Sequence, residues 1–220
     1  QPLIILVNTF SASASEIVAA AMQDHGRAII IGNAHTFGKG TVQKVFNLDR
    51  VILNNRDPLG HIKITIQEYF RINGTSTQFT GVLPDITYPS PYDYLDVGEK
   101  ELKYAFKGSS TTAAKYTKLK KTAKELAVIK RSNERIKTTK AAETMTGYNT
   151  FMLDQKENSN RSIRIDDMWA NIEKVKEKNN AIDNLTVDKT FASFQALEPT
   201  AKSLSDKKDK EDFNKWVTDF

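Results

Sequence analysis

The 220-residue chain contains no cysteine, which excludes thiolate nucleophiles, thiolate metal sites and disulfides. No apolar run reaches the ~18–20 residues that cross a bilayer as a helix, so membrane association is not indicated in this segment. Histidine is scarce, and His25, His35 and His61 share no metal-ligand spacing. Zinc-finger spacing and a glycine-rich phosphate loop of the usual length are also missing. Long blocks of one charge sign are lacking too. The formal net charge is +5, yet residues 1–95 carry 7 Lys/Arg and 7 Asp/Glu, so the positive excess lies beyond them. There the lysines alternate with acids, as in Glu173-Lys174-Val175-Lys176-Glu177-Lys178. Phosphate binding wants clustered, uncompensated Lys/Arg, so this reads as a solvated helical surface and not as a nucleic-acid patch. Gln1 is neither an initiator Met nor the start of a signal peptide, and the chain reads as a piece of something longer.

With 39% hydrophobic residues in 24.8 kDa, the chain suffices for one sizeable domain or two small ones. Leu3-Ile4-Ile5-Leu6-Val7 is an apolar run of strand length, followed by a polar turn and the helix formers of Ser15 to Gln23. Gly26 suits the end of that helix, and Ala28-Ile29-Ile30-Ile31 follows as a second buried strand. The result is a β-α-β unit with parallel strands. Thr41–Leu48 and His61–Ile72 alternate polar and apolar residues, and Asn54–Gly60 reads as the turn of an antiparallel hairpin between them. Pro89, Pro91, Gly98 and Gly108 punctuate the next stretch, which places a domain boundary near residue 96. Beyond it, Leu119, Ala123, Leu126, Ile129 and Ile136 predict one amphipathic helix from Ala113 to about Ala142. Met168, Trp169, Ile172 and Val175 predict another over Asp166 to about Asn179. Trp169 and Trp216 are expected in core or docking contacts. The fold class is therefore α/β over residues 1–95, followed by a mainly helical, lysine-rich domain over 96–220.

Two short motifs carry chemistry. In Ser11-Ala12-Ser13-Ala14-Ser15-Glu16, Ser13 falls where a strand gives way to a helix, a place where backbone N–H groups face anything negative. Ala12 and Ala14 leave room for a substrate backbone, and the Ala14 N–H would face the oxyanion of an acyl-transfer intermediate. In Phe37-Gly38-Lys39-Gly40, a lysine sits between two glycines. A serine hydroxyl needs a base, and a lysine serves only if its neutral form is made accessible by burial. Gln43, four residues on, has an amide oxygen able to orient the amine. Ordinary readings stand beside these: Ser13 with Glu16 fits a helix capping box, and Gly-Lys-Gly fits a turn with a solvated lysine. Thr77 and Gln78 are placed either in a substrate channel or in turn and strand-end roles.

Ser11–Ile17, Thr36–Gln43 and the run Ser76-Thr77-Gln78-Phe79-Thr80-Gly81-Val82-Leu83-Pro84-Asp85-Ile86 resemble three ordered signatures of the C-terminal processing peptidases, also called tail-specific proteases. The resemblance covers residues 1 to about 90, and the lysine-rich remainder is more loosely similar to the C-terminal domain of the bacterial tail-specific protease. It implies a catalytic core with Ser13 as nucleophile, Lys39 as general base, Gln43 orienting that base and Ala14 giving an oxyanion N–H. It also implies an endopeptidase acting on proteins with nonpolar C-termini, in the periplasm or another extracytoplasmic space. No metal or organic cofactor is implied, and an adaptor protein is an expected partner. The loop Gly32–Lys39 is one residue longer than the family's Gly-Glu-x-Thr-x-Gly-Lys, with Asn33 and His35 where an acid is usual, and accommodation within the loop is expected. The family's PDZ domain and the earlier part of its catalytic domain are not among these residues. The alternative is therefore a non-catalytic binding or structural fragment.

Overall fold

A computed structural model describes residues 2–52 and 57–186. By its contacts Gln1–Ile182 is one compact unit and Asp183–Phe220 a second. Strand β1 (Ile4–Val7) leads through a turn into α1 (Ala14–Asp24), and β2 (Ile29–Gly32) returns beside β1. The two strands pair in parallel, Ile4 with Ile29 and Val7 with Gly32. β5 (Ile86–Thr87) adds in parallel to the other edge of β2, giving the order β1-β2-β5. One face of this sheet is covered by α1: Ala19, Ala20, Ala28, Ile30 and Val82 form its core, with Ile5 and Val7 against them. Small alanines let the helix sit close, and Ile30 is wholly buried, worth about 2 kcal/mol relative to exposure.

The expectation that the first strand is buried on both faces is corrected. Ile5 and Val7 point inward, whereas Ile4 and Leu6 face out, Leu6 with 78% of its surface exposed. Successive side chains of a strand point to opposite faces, and only one face has a covering helix at β1.

β3 (Thr41–Asn47) and β4 (His61–Glu68) form a separate antiparallel ribbon with a register shift at Val42/Gln43. Asn54 to Arg56 of the predicted connecting turn lie outside the described residues. Residues 111–122 are not helical, which corrects the start of the first predicted helix. They run as a strap whose backbone bonds are satisfied elsewhere: Thr111 N–H donates to Gly74 O, Ala114 N–H to Ile72 O and Leu119 N–H to His25 O.

The helix proper, α2 (Ala123–Lys137), starts behind Thr122, whose capping box with Glu125 supplies the missing partners of the first turn. A second cap, Thr139, accepts from Ala142 N–H and opens α3 (Lys140–Glu157), where the sequence reading had a continuation of one helix and then nothing regular. α4 (Ile165–Thr186) is longer than predicted. Trp169 is 59% exposed, so it is not a core residue, and Trp216 lies outside the described residues. Residues on the two sides of position 96 pack together: Ile86 clusters with Ile136 and Ala142, with Ile29, Ile31 and Ile129 alongside. Asn133 adds two bonds, accepting from Thr87 N–H and donating to Asp85 O.

Candidate active site

The turn after β1 is shaped by Asn8, whose side-chain oxygen accepts from Phe10 N–H and from the Ser11 hydroxyl. Ser15 Oγ donates to Ala12 O. The flanking serine hydroxyls are thus engaged in local structure. Ser13 is the N-cap of α1 with φ 58° and ψ −116°. N-cap residues ordinarily lie in the extended region, and a non-glycine residue held at positive φ costs of order 1–3 kcal/mol, which persists only where the surroundings fix it. Here the surroundings are Glu16 and Tyr69.

Glu16 is fully buried, and its carboxylate collects four donors. Oε2 accepts from Ser13 N–H and Lys39 N–H, both at 2.8 Å. Oε1 accepts from Gly38 N–H at 2.7 Å and from the Thr36 hydroxyl. The capping reading of Ser13 and Glu16 is therefore only part of the truth, because the same carboxylate reaches 23 residues along the chain to hold the lysine loop. Tyr69 does the same from the other side. Its hydroxyl lies on the main-chain oxygens of both Ser13, at 3.2 Å, and Lys39. Burial pushes the Tyr69 phenol above its ordinary range, and the Glu16 and Glu99 carboxylates push it the same way, so it remains a protonated donor.

The lysine turn requires its glycines. Gly38 has φ +90°, and a Cβ on Gly40 would stand 2.5 Å from Gln78 N, closer than atoms approach. Gln78 is 2% exposed and clamps this turn: its Oε1 accepts from Gly40 N–H at 2.7 Å, while Nε2 donates to Phe106 O and Glu99 Oε1. The geometry favours the structural role for Gln78 over a place in an open channel. Lys39 Nζ donates to Gln43 Oε1 at 3.2 Å, the predicted pair. Ser13 and Lys39 are brought together through Glu16 and Tyr69, with no direct hydrogen bond between the Ser13 hydroxyl and the Lys39 amine. Ala14 is the first residue of α1, where a backbone N–H has no intrahelical partner. The extra loop residue is taken up around Asn33 and His35: Asn33 Nδ2 donates to Tyr88 O and His35 Nδ1 to Thr36 O, while Thr36, Gly38 and Lys39 stay anchored on Glu16.

The third motif secures the frame. Asp85 accepts from Ile30 N–H at 2.8 Å and pairs with Lys121 at 2.9 Å. Arg71 grips Asp24, at the end of α1, with contacts of 2.6 and 2.8 Å, and also reaches Gln23.

The sequence model of peptidase family S41 matches residues 1–88. Residues 1–88 are thus similar to this peptidase family. Over 114 residues it is 46% identical to a tail-specific protease of Haemophilus influenzae, covering 52% of this chain and 16% of that protein. It is 44% identical over 114 residues to a carboxy-terminal-processing protease of Bartonella bacilliformis, covering 49% of this chain and 24% of that protein. An Arabidopsis thaliana protein, carboxyl-terminal-processing peptidase 3, chloroplastic, is 41% identical over 86 residues, covering 39% of this chain and 15% of that protein. The matched residues 1–88 include Ser13, Ala14, Lys39 and Gln43. Glu16, Thr36 and Tyr69 were the ones missed as site organisers, since nothing in local spacing shows that a cap residue and a strand-end tyrosine converge on a lysine.

Proposed function

We propose that this chain contributes the reacting groups of a serine peptidase that uses Ser13 and Lys39. The observation that carries the reading is Ser13 itself, held at φ 58° between Glu16 and Tyr69, the two side chains that also hold Lys39. An ordinary cap needs no such strain, and neither Ser11 nor Ser15 shares it. Ser13 Oγ attacks the scissile carbonyl while the neutral Lys39 amine, oriented by Gln43, takes the hydroxyl proton. The oxygen of the tetrahedral intermediate faces the N–H of Ala14 at the positive end of α1. Lys39 then gives the proton to the leaving amine, and in the second half water, deprotonated by Lys39, attacks the acyl carbonyl and expels Ser13 Oγ, which takes the proton back.

The relatives' names point to proteins processed at the C-terminus; a preference for nonpolar termini and an extracytoplasmic compartment are part of the same proposal. A division into a catalytic part over 1–95 and a helical part that recruits an adaptor over 96–220 belongs to the same proposal. In the full-length protein, Ser13→Ala and Lys39→Ala each abolish cleavage of an unfolded substrate with an apolar C-terminus. Cleavage persisting in either variant contradicts the assignment.

A further inference from the structure

The backbone of the lysine turn has partners besides Glu16 and Tyr69. Gly38 O accepts from Phe79 N–H at 2.7 Å, Gly40 N–H donates to Gln78 Oε1 at 2.7 Å, and Phe37 O accepts from Glu99 N–H at 2.8 Å. Glu99 lies beyond the matched residues 1–88. It reaches the turn by two routes, one on each side of Lys39. On one side its N–H meets Phe37 O. On the other its carboxylate Oε1 accepts at 3.2 Å from Nε2 of Gln78, the side chain that holds Gly40.

The backbone around these contacts is built for close approach. Gly98, at φ +146°, lets the chain pass against the turn, since a Cβ there would stand 3.2 Å from Phe37 O. Gly108 does the same beside Gln78, where a Cβ would lie 2.9 Å from Gln78 O. The Gln78 amide has one usable orientation. Gly40 N–H requires an oxygen, which turns Nε2 and its two protons toward Phe106 O, at 2.8 Å, and Glu99 Oε1. Among the described residues only two that are not glycine have positive φ: Ser13 at 58°, and Phe79, whose N–H meets Gly38 O, at 76°. A phenylalanine keeps such a backbone only where its neighbours impose it.

Gln78 and Glu99 are 2% and 7% exposed. An apolar pair of the same shape would serve stability about as well, whereas a buried polar network with matched partners adds direction. We propose that Gln78 and Glu99 are positioning residues for Lys39, Glu99 acting as the acceptor that fixes the Gln78 amide and, through it, Gly40. This rests on the Ser13–Lys39 reading. The frame of the base then extends past residue 95 into the segment 98–108.

The test uses the full-length protein and an unfolded substrate with an apolar C-terminus, with kcat taken per folded molecule and the folded fraction read from urea titration. Gln78→Met removes the amide at nearly the same length and is expected to lower kcat about a hundredfold with KM unchanged, the cost of an ångström-scale shift of a reacting group. Glu99→Asp keeps the charge but withdraws the acceptor by one methylene, and is expected to lower kcat about tenfold. Glu99→Gln restores an acceptor of the original reach and recovers most of that loss. The two Glu99 variants carry the test where Gln78→Met does not fold. The proposal is overturned by a kcat within about threefold of the parent in either Gln78→Met or Glu99→Asp, by a loss carried in KM, or by Glu99→Gln as slow as Glu99→Asp. Lys39→Ala separates the two layers. Cleavage abolished by it while the other variants keep their kcat removes the role of Gln78 and Glu99 alone, and cleavage that survives it removes the Ser13–Lys39 reading beneath.

Discussion

Around Glu16, donors from α1 and from the lysine loop meet on one buried carboxylate, whereas along α4 the side chains of Ile165, Met168, Trp169 and Ile172 are each about half exposed or more. What separates them is where the binding partners lie in the chain. In the first, polar groups up to 56 residues apart are matched, as Tyr69 is with Ser13. In the second, the described contacts are mostly local to each helix, and the region joins the sheet through the Ile86, Ile136, Ala142 cluster and Asn133. Directional bonds fix positions to fractions of an ångström, which chemistry on a carbonyl demands. Apolar contact fixes association but not geometry.

The sharpest way to break this contrast is Glu16→Gln. The amide nitrogen would face N–H donors where an oxygen now accepts, leaving two of them unmatched in a buried place at about 1–3 kcal/mol each. We expect kcat/KM to fall at least a hundredfold and unfolding free energy to fall by about 3 kcal/mol, read by steady-state kinetics and urea titration on the full-length protein. Activity that scales only with the folded fraction would reduce Glu16 to a stability residue. A smaller effect is expected on the other side. Ile136→Ala removes a buried side chain from the seam under α2, costing about 3 kcal/mol by the usual range for such truncations, with kcat changed less than about threefold. If kcat drops as it does for Glu16→Gln, the helical region shapes the site and the contrast is wrong.

The parts legible from sequence were those whose signal is local. The β1-α1-β2 unit, the β3–β4 ribbon and the Lys39–Gln43 pair all follow from spacing within a few residues. Helix α3 was invisible because Thr144, Thr146, Gly147 and Thr150 dilute its apolar periodicity and Thr139 was not read as a cap. The spacing of Leu119, Ala123 and Leu126 predicts helix from residue 113, yet the Ala114 and Leu119 N–H groups donate to Ile72 O and His25 O instead. Gln78 and Tyr69 carry no local signal of their roles, which come from partners 21 to 56 residues away. In the site, residue types named the chemistry, while the long-range bonds that hold it were beyond local pattern.

The central claim is that Ser13 is a nucleophile activated by Lys39. Its most direct test is covalent labelling of the full-length protein with a fluorophosphonate, followed by mass spectrometry of the modified peptide. The account predicts a single adduct on Ser13 that is absent in Lys39→Ala. An adduct on another residue, or one on Ser13 that forms equally fast in Lys39→Ala, would contradict it.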